Sequence, residues 1–211
     1  MPKKTFFNLS LDKRNLIIAA SIEEFSKANY NTASINQICK KSKIAKGSFY
    51  QYFTDKIDLY IYIMTLAIEE KIKFFSTVLS EFNSLTLIEQ IRLLYIKGIE
   101  FGNTYPQYAA LGEQFSKEDD PIAKSAVMKE GDKQSESLFI EMITAAKTKG
   151  EIDSDTDPLA LSMILQSLNN SVTEFMLDKY GDVRYEDYQE EVNSFIDSLL
   201  TIIFKGIENK S

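Results

Sequence analysis

Lys46, Tyr50, Gln51 and Lys56 stand within eleven residues of one another near the start of the chain, and their types point to one kind of chemistry. A lysine ammonium neutralises a phosphate, and Lys46 can also reach a guanine edge. A tyrosine offers a hydroxyl to a phosphate and a ring to a thymine methyl. A glutamine amide pairs bidentately with an adenine edge, which discriminates against a wrong base by about 1 to 3 kcal/mol. Taken alone, the four could equally form an ordinary solvated helix face. Other chemistries lack their parts. The 211 residues include no histidine and a single cysteine, so Ser-His and Cys-His catalysis, thiolate or imidazole zinc sites and an internal disulfide are excluded. Cys39 falls on an apolar stripe, as a packing residue would. No cofactor and no metal are implied.

The elements that must position these side chains lie in residues 32 to 56, TASINQICKKSKIAKGSFYQYFTDK. Ser34 can accept from the Gln37 backbone N–H while the Gln37 side chain reaches back to the Ser34 N–H, a capping box that fixes a helix start. Ile35, Ile38 and Cys39 then form one apolar stripe on a helix too short to persist unless packed. A turn around Ser42 and Lys43 leads to a second helix, where Phe49 and Phe53, four apart, point inward. Lys46, Tyr50 and Gln51 are left outside. Two short helices joined by three or four residues have the helix-turn-helix proportion, in which the second helix enters the major groove. Thr32 and Ser34 can donate to backbone phosphates.

The run IAKGSFYQYFTDKIDLY resembles the TetR-type helix-turn-helix, in which Lys-Gly-(Ser/Thr)-apolar-Tyr-x-Tyr-Phe precedes x-x-Lys and an apolar helix. Lys46, Gly47, Ser48, Phe49, Tyr50, Tyr52, Phe53 and Lys56 fill that pattern. The resemblance is close over residues 14 to 60 and looser afterwards. It adds Gly47, Ser48 and Tyr52 to the DNA-binding candidates, although Tyr52 can equally pack inside. The chain departs from the pattern twice. Lys43 stands where the family often has a turn glycine, which places a Cβ at a positive φ. Ala45 stands where a capping serine is common, which leaves the first N–H groups of the second helix without a side-chain partner.

Glycine and proline are scarce, at 8 and 4 residues, and no period-2 run is bounded by turn signals, so the expected fold is all-α. About nine helices are expected in two domains: a three-helix head over 1–56, and a larger helical bundle over 57–211. The net charge of −7 is unevenly divided: through Lys56 the balance is +6, and over the remainder −13. A basic head suits phosphates, and an acidic body should face away from them. The N-terminus is read as a short, frayed basic arm, interrupted by Asp12 before any apolar core of signal-peptide length. No stretch approaches a membrane span, and a soluble cytoplasmic protein is expected.

Farther along, Thr54 is an expected N-cap, as are Thr86 with Glu89 in a second capping box. Pro106 and Asp120-Pro121 each open a helix, with Gly131 a weak point in the second. Asp157 caps the penultimate helix with Pro158 at its first position, and the last helix is expected from Tyr185 to Lys205.

The resemblance implies an effector cavity in the aromatic and Met-rich middle, with Tyr60, Met64, Phe101, Tyr105, Tyr108, Phe115, Phe139, Met142, Gln166 and Asn170 as candidates. For each of these, core packing is the competing reading. It also implies a homodimer built from the last two helices, through Ile164, Leu168, Val172, Phe175, Val192, Phe195, Ile196, Leu199 and Ile203. The competing reading is that these helices simply close the core. The functional expectation is a ligand-responsive transcriptional regulator, a repressor, bound to an inverted-repeat operator in double-stranded DNA and released by a small molecule. The alternative is a body controlled by a protein partner. An enzyme would need facing carboxylates in the body, and none is expected.

Overall fold

The computed structural model of the chain describes residues 1–79, 82–181 and 187–206; the side chains at 77–79, 83, 130–137, 169, 170 and 173 also lie outside the description. Among the described residues there is no strand. The helices are α1 (Lys4–Phe7), α2 (Leu11–Phe25), α3 (Ile35–Lys41), α4 (Lys46–Tyr52), α5 (Lys56–Leu79), α6 (Leu87–Thr104), α7 (Pro106–Ser116), α8 (Pro121–Lys149), α9 (Pro158–Tyr180) and α10 (Gln189–Lys205), with a 3-10 turn at Phe82–Ser84. Among the described residues the α-helix beyond the expected nine is α1, in the segment read as a frayed arm. Phe6 is fully buried, packed edge-on to Tyr62 at 5.4 Å and tilted against Phe53 at 5.0 Å. An aromatic so placed gives a one-turn helix enough buried area to persist.

The chain folds as two compact units, one of residues 1–72 and 105–133, the other of 73–104 and the described residues from 134 onward. The first unit has a continuous core. Ile17, Ala20, Ile22 and Phe25 of α2 meet Ile38 and Cys39 of α3, Phe49 and Tyr52 of α4, Phe53 just beyond α4, Leu59, Tyr60, Ile63 and Met64 of α5, and Leu111, Ala123 and Val127. Burial pushes the Cys39 thiol pKa up, only partly offset by the Lys46 charge.

In the second unit, Ile91, Leu94, Tyr95 and Ile99 of α6 pack with Met142, Ile143 and Ala146 of α8, with Leu161, Leu165, Val172 and Met176 of α9, and with Val192, Ile196 and Leu200 of α10. The Tyr95 hydroxyl donates to the Leu165 carbonyl at 2.6 Å. Phe175 stacks on Phe195 with ring centroids 4.1 Å apart.

Helix ends follow the sequence signals with two exceptions and two changes of length. Thr86 N–H donates to Glu89 at 2.8 Å, and Asp157 accepts from Leu159 and Ala160. Asp120 accepts from Ile122 and Ala123, and α8 continues through Gly131 to a Gly150 with φ +74°. Ser34 does accept from Gln37 N–H, at 3.4 Å, but its own N–H donates to the Glu24 carboxylate at 2.9 Å instead of to Gln37. A carboxylate on a facing helix is the stronger acceptor. At α5 it is Asp55 that accepts from the Asp58 N–H, at 2.9 Å, not Thr54. Helix α6 runs three residues past Phe101 and stops at Tyr105, because a residue before proline avoids the α conformation. The expected ends at Ser80 and Tyr185 lie outside the described residues, and α10 begins at Gln189.

Candidate DNA-reading face

Helix α3 ends at Ser42, whose buried hydroxyl donates to the Ile38 carbonyl at 2.6 Å. The turn that follows needs one residue at positive φ, and Lys43 supplies it at +56°. A Cβ there costs strain that a glycine would avoid. The turn lets Ile44 N–H donate back to the Cys39 carbonyl at 3.0 Å, and helix α4 starts at once behind Ala45, with no side-chain cap.

Helix α4 has two distinct sides. Phe49 is fully buried, Tyr52 is 7% exposed, and Phe53, just past the last turn, is fully buried. Phe49 and Phe53 lie 5.4 Å apart between centroids, so the four-residue spacing read in the sequence is realised as one aromatic wedge. Lys46, Gly47, Tyr50 and Gln51 are exposed, and Ser48 is half-buried. Tyr50 leans edge-on against Phe49 at 5.2 Å, which limits the directions its hydroxyl can take. A Cβ at Gly47 would meet nothing within 4 Å, so open space is available for a backbone to approach. Tyr52, which the family pattern adds to the DNA-binding set, is packed beside Phe6 at 6.4 Å.

The C-terminal end of α4 has partners the sequence did not suggest. Three of its carbonyls accept from the N-terminal segment: Tyr50 from the Lys3 ammonium at 2.9 Å, Gln51 from the Thr5 hydroxyl, and Tyr52 from the Lys3 backbone N–H at 2.8 Å.

Lys56 is held differently from Lys46. Its ammonium donates to the carbonyls of Asn31 and Ala33, each at 3.1 Å, and lies 4.5 Å above the Tyr30 ring. Burial lowers its pKa, opposed by the charges of Glu118 and Asp120. Glu118 is itself only 3% exposed. Its carboxylate accepts from Tyr30 N–H at 2.7 Å, from Asp120 N–H at 3.0 Å and from the Tyr60 hydroxyl at 3.4 Å. Burial first, then this carboxylate, raises the Tyr60 pKa. Lys56 and Glu118 thus fix the loop that leads into α3, where Thr32 bonds to the Asn29 side chain at 2.7 Å and Ser34 serves as the cap.

Residues 17–63, which run from within α2 to the first part of α5, match the family model for bacterial regulatory proteins, tetR family. The transcriptional regulator AcuR of Cereibacter sphaeroides is 26% identical over 161 residues, covering 69% of this chain and 68% of that protein. A crystal structure of a TetR family transcriptional regulator from Chloroflexus aurantiacus is 26% identical and superposes with a TM-score of 0.72 over 98% of both chains. This chain carries the TetR-family helix-turn-helix over residues 17–63. It is a transcriptional regulator with a helix-turn-helix DNA-binding head. The transcriptional regulator FadR of Bacillus subtilis, solved in complex with stearoyl-CoA, shares the fold at 17% identity, a TM-score of 0.69 and coverage of 92% of this chain and 99% of that one.

The candidates drawn from the TetR family for the effector are spread over the two units. Tyr60, Met64, Tyr105, Tyr108 and Phe115 belong to the first, where Tyr60 and Met64 are buried and Tyr105 lies 6.0 Å from Tyr108 between ring centroids. Phe101, Phe139, Met142 and Gln166 belong to the second, with Phe101 and Met142 buried; the side chain of Asn170 lies outside the described residues. Two shallow hollows run along α10, bordered by Glu190, Ser194 and Ser198 among others, and no effector candidate borders either.

Of the dimer candidates, Val172, Val192 and Ile196 lie inside the second unit, at 1% exposure or less. They have no surface to offer a second copy. Leu168, Phe175, Phe195, Leu199 and Ile203 are half-buried, and Ile164 is exposed. Leu159, Met163, Leu177 and Ile202 are exposed large apolar side chains on the same two helices, and the dimer set drawn from the sequence does not include them. Whether a stripe faces inward or outward is not encoded in its spacing. No helix among the described residues is long and apolar enough to cross a membrane.

Proposed function

We propose that this TetR-family regulator acts as a homodimeric repressor, with α4 of each subunit laid in the major groove of one half of an inverted repeat. Residues 1–56 form the reading domain; residues 57–211 carry the effector site and the dimer contact. A small molecule bound there releases the DNA, and by linkage DNA must weaken that molecule's binding by the same factor.

The observation that carries this reading is the two-sided character of α4. Phe49 and Phe53 anchor it inside, while Lys46, Tyr50 and Gln51 stand exposed on a head whose charge balance is +6. The exposed Ile164, Met163 and Ile202 supply apolar surface for the second copy. The test is selection of duplexes from a random pool by the purified chain, then binding across a salt series. An inverted repeat whose affinity falls steeply with salt is the expected result, and Lys46→Ala with Tyr50→Ala should abolish it. No enrichment, or an unaffected double variant, would sink the reading. Stearoyl-CoA, held by the similarly folded B. subtilis protein, is the first effector probe to titrate against the complex.

A further inference from the structure

Helix α4 spans only seven residues. A helix leaves its last four carbonyls without intrahelical partners, and a helix this short has no interior to stabilise it. Every one of the final three carbonyls of α4, those of Tyr50, Gln51 and Tyr52, accepts a hydrogen bond from Lys3 or Thr5. The two residues whose side chains face outward for base contact, Tyr50 and Gln51, are therefore the ones whose backbones are tied down from the N-terminal segment.

The Lys3 ammonium also places a positive charge at the negative end of the helix dipole. Phe6, fully buried, anchors the segment that carries both donors. We infer that Lys3 and Thr5 are positioning residues for DNA reading: they fix the pitch and register of α4 through its carbonyls, with the Lys3 ammonium spent on the protein backbone instead of on a phosphate. This rests on the proposed role of α4. The segment is a C-terminal cap supplied from 46 and 47 residues away in the sequence.

The two roles open to Lys3 have different signatures. A phosphate contact contributes equally to every sequence, and its loss lowers the salt slope; a positioning bond leaves the slope alone and blurs base selectivity. The experiment compares the full chain with Lys3→Met combined with Thr5→Val, and with Lys3→Arg combined with Thr5→Ser, which keep the donors.

The DNA probes are a duplex recovered from a random pool by the wild-type chain and its single-base variants. The expected result for Lys3→Met with Thr5→Val is about a tenfold loss of affinity for the selected duplex, reduced discrimination among the variants, and an unchanged salt slope. The donor-keeping pair should recover both properties. In the free protein, amide hydrogen exchange over residues 46–53 should quicken in the Met/Val pair while exchange over α2 stays constant.

Uniform loss across all duplexes with a shallower salt slope would overturn the inference in favour of a phosphate contact. Unchanged exchange over α4 would overturn it outright. If the wild-type chain recovers no duplex, it is the DNA-reading proposal that fails, and the exchange measurement still decides whether Lys3 and Thr5 hold α4.

Discussion

Helix α4 and helix α9 both present an outward face, and the two faces ask for opposite things. On α4 the outer side chains are Lys46, Tyr50 and Gln51, which water solvates well, over a wedge of Phe49 and Phe53. Such a face is stable without a partner and needs one only to act. On α9 the exposed set includes Leu159, Met163, Ile164 and Leu177, the most open being Met163 at 64%. Water is a poor neighbour for that surface, and a partner that covers it gains roughly 25 cal/mol per Å² of apolar area. The difference separates a polar face that water satisfies from an apolar face that a covering partner would stabilise.

The largest expected effect breaks that contrast at α9. Met163→Glu with Ile164→Glu should convert a dimer to a monomer, raising the dissociation constant by roughly a thousandfold or more, because unpaired charges would be buried at the contact. Light scattering at micromolar concentration reads the mass, and circular dichroism should show the helices intact. Tyr50→Glu on α4 should leave the mass unchanged. A wild-type chain that already runs as a monomer would remove the assignment of α9.

The next effect is on the inner side of α4. Phe49→Ala deletes a fully buried ring and should cost about 3 to 5 kcal/mol, seen as a lower urea midpoint. A loss under 1 kcal/mol would mean that the wedge does not anchor the reading face. Glu118→Ala should cost about 2 to 3 kcal/mol, since it leaves the Tyr30 and Asp120 N–H groups without their acceptor. It should also weaken DNA binding through the loop that leads to α3. DNA binding that survives with stability intact would show the carboxylate to be dispensable.

The smallest effect compares the two units at high pH. Tyr60 in the first and Tyr95 in the second both have pKa values raised by burial, above an ordinary value of about 10. The folded chain keeps protons that the unfolded chain loses, so this contribution is complete below pH 10 and is lost as pH rises beyond it. Urea midpoints from pH 8 to 11 should fall in the wild type and fall less steeply in Tyr60→Phe and in Tyr95→Phe. Identical slopes in all three would refute the assignment of the alkaline loss to these hydroxyls.

Much of the head was legible because its signals are local. The four-residue spacing of Phe49 and Phe53, the positive φ at Lys43 and the cap at Ser34 each depend on a few neighbouring residues, as do the caps at Thr86 and Asp157 in the body. The segment Lys4–Phe7 was not legible as a helix, since one turn has too few residues to show a period. The ends of the reading face were less legible than its middle: Tyr52 turned into the core and Lys56 onto the Tyr30 ring. At helix ends, neighbouring elements decide which way a side chain points.

The body showed the same division. Spacing identified the apolar stripes of α9 and α10 but not which of their residues close the unit and which stay open. The family resemblance grouped Tyr60 with Phe101, and the division of the chain after Ile72 places them in different units.

By itself the sequence determined the all-helical class, the helix-turn-helix, its outward-facing Lys46, Tyr50 and Gln51, and the basic-to-acidic division of charge. These follow from periods, caps and counts that need no distant residue. Only the tertiary structure decided that Glu24 would take the Ser34 N–H, that Glu118 would reach Tyr30 across 88 residues, and that Lys3 and Thr5 would cap α4. In each case several acceptors or donors compete for one group, and the winner is set by which one packing brings within 3 Å.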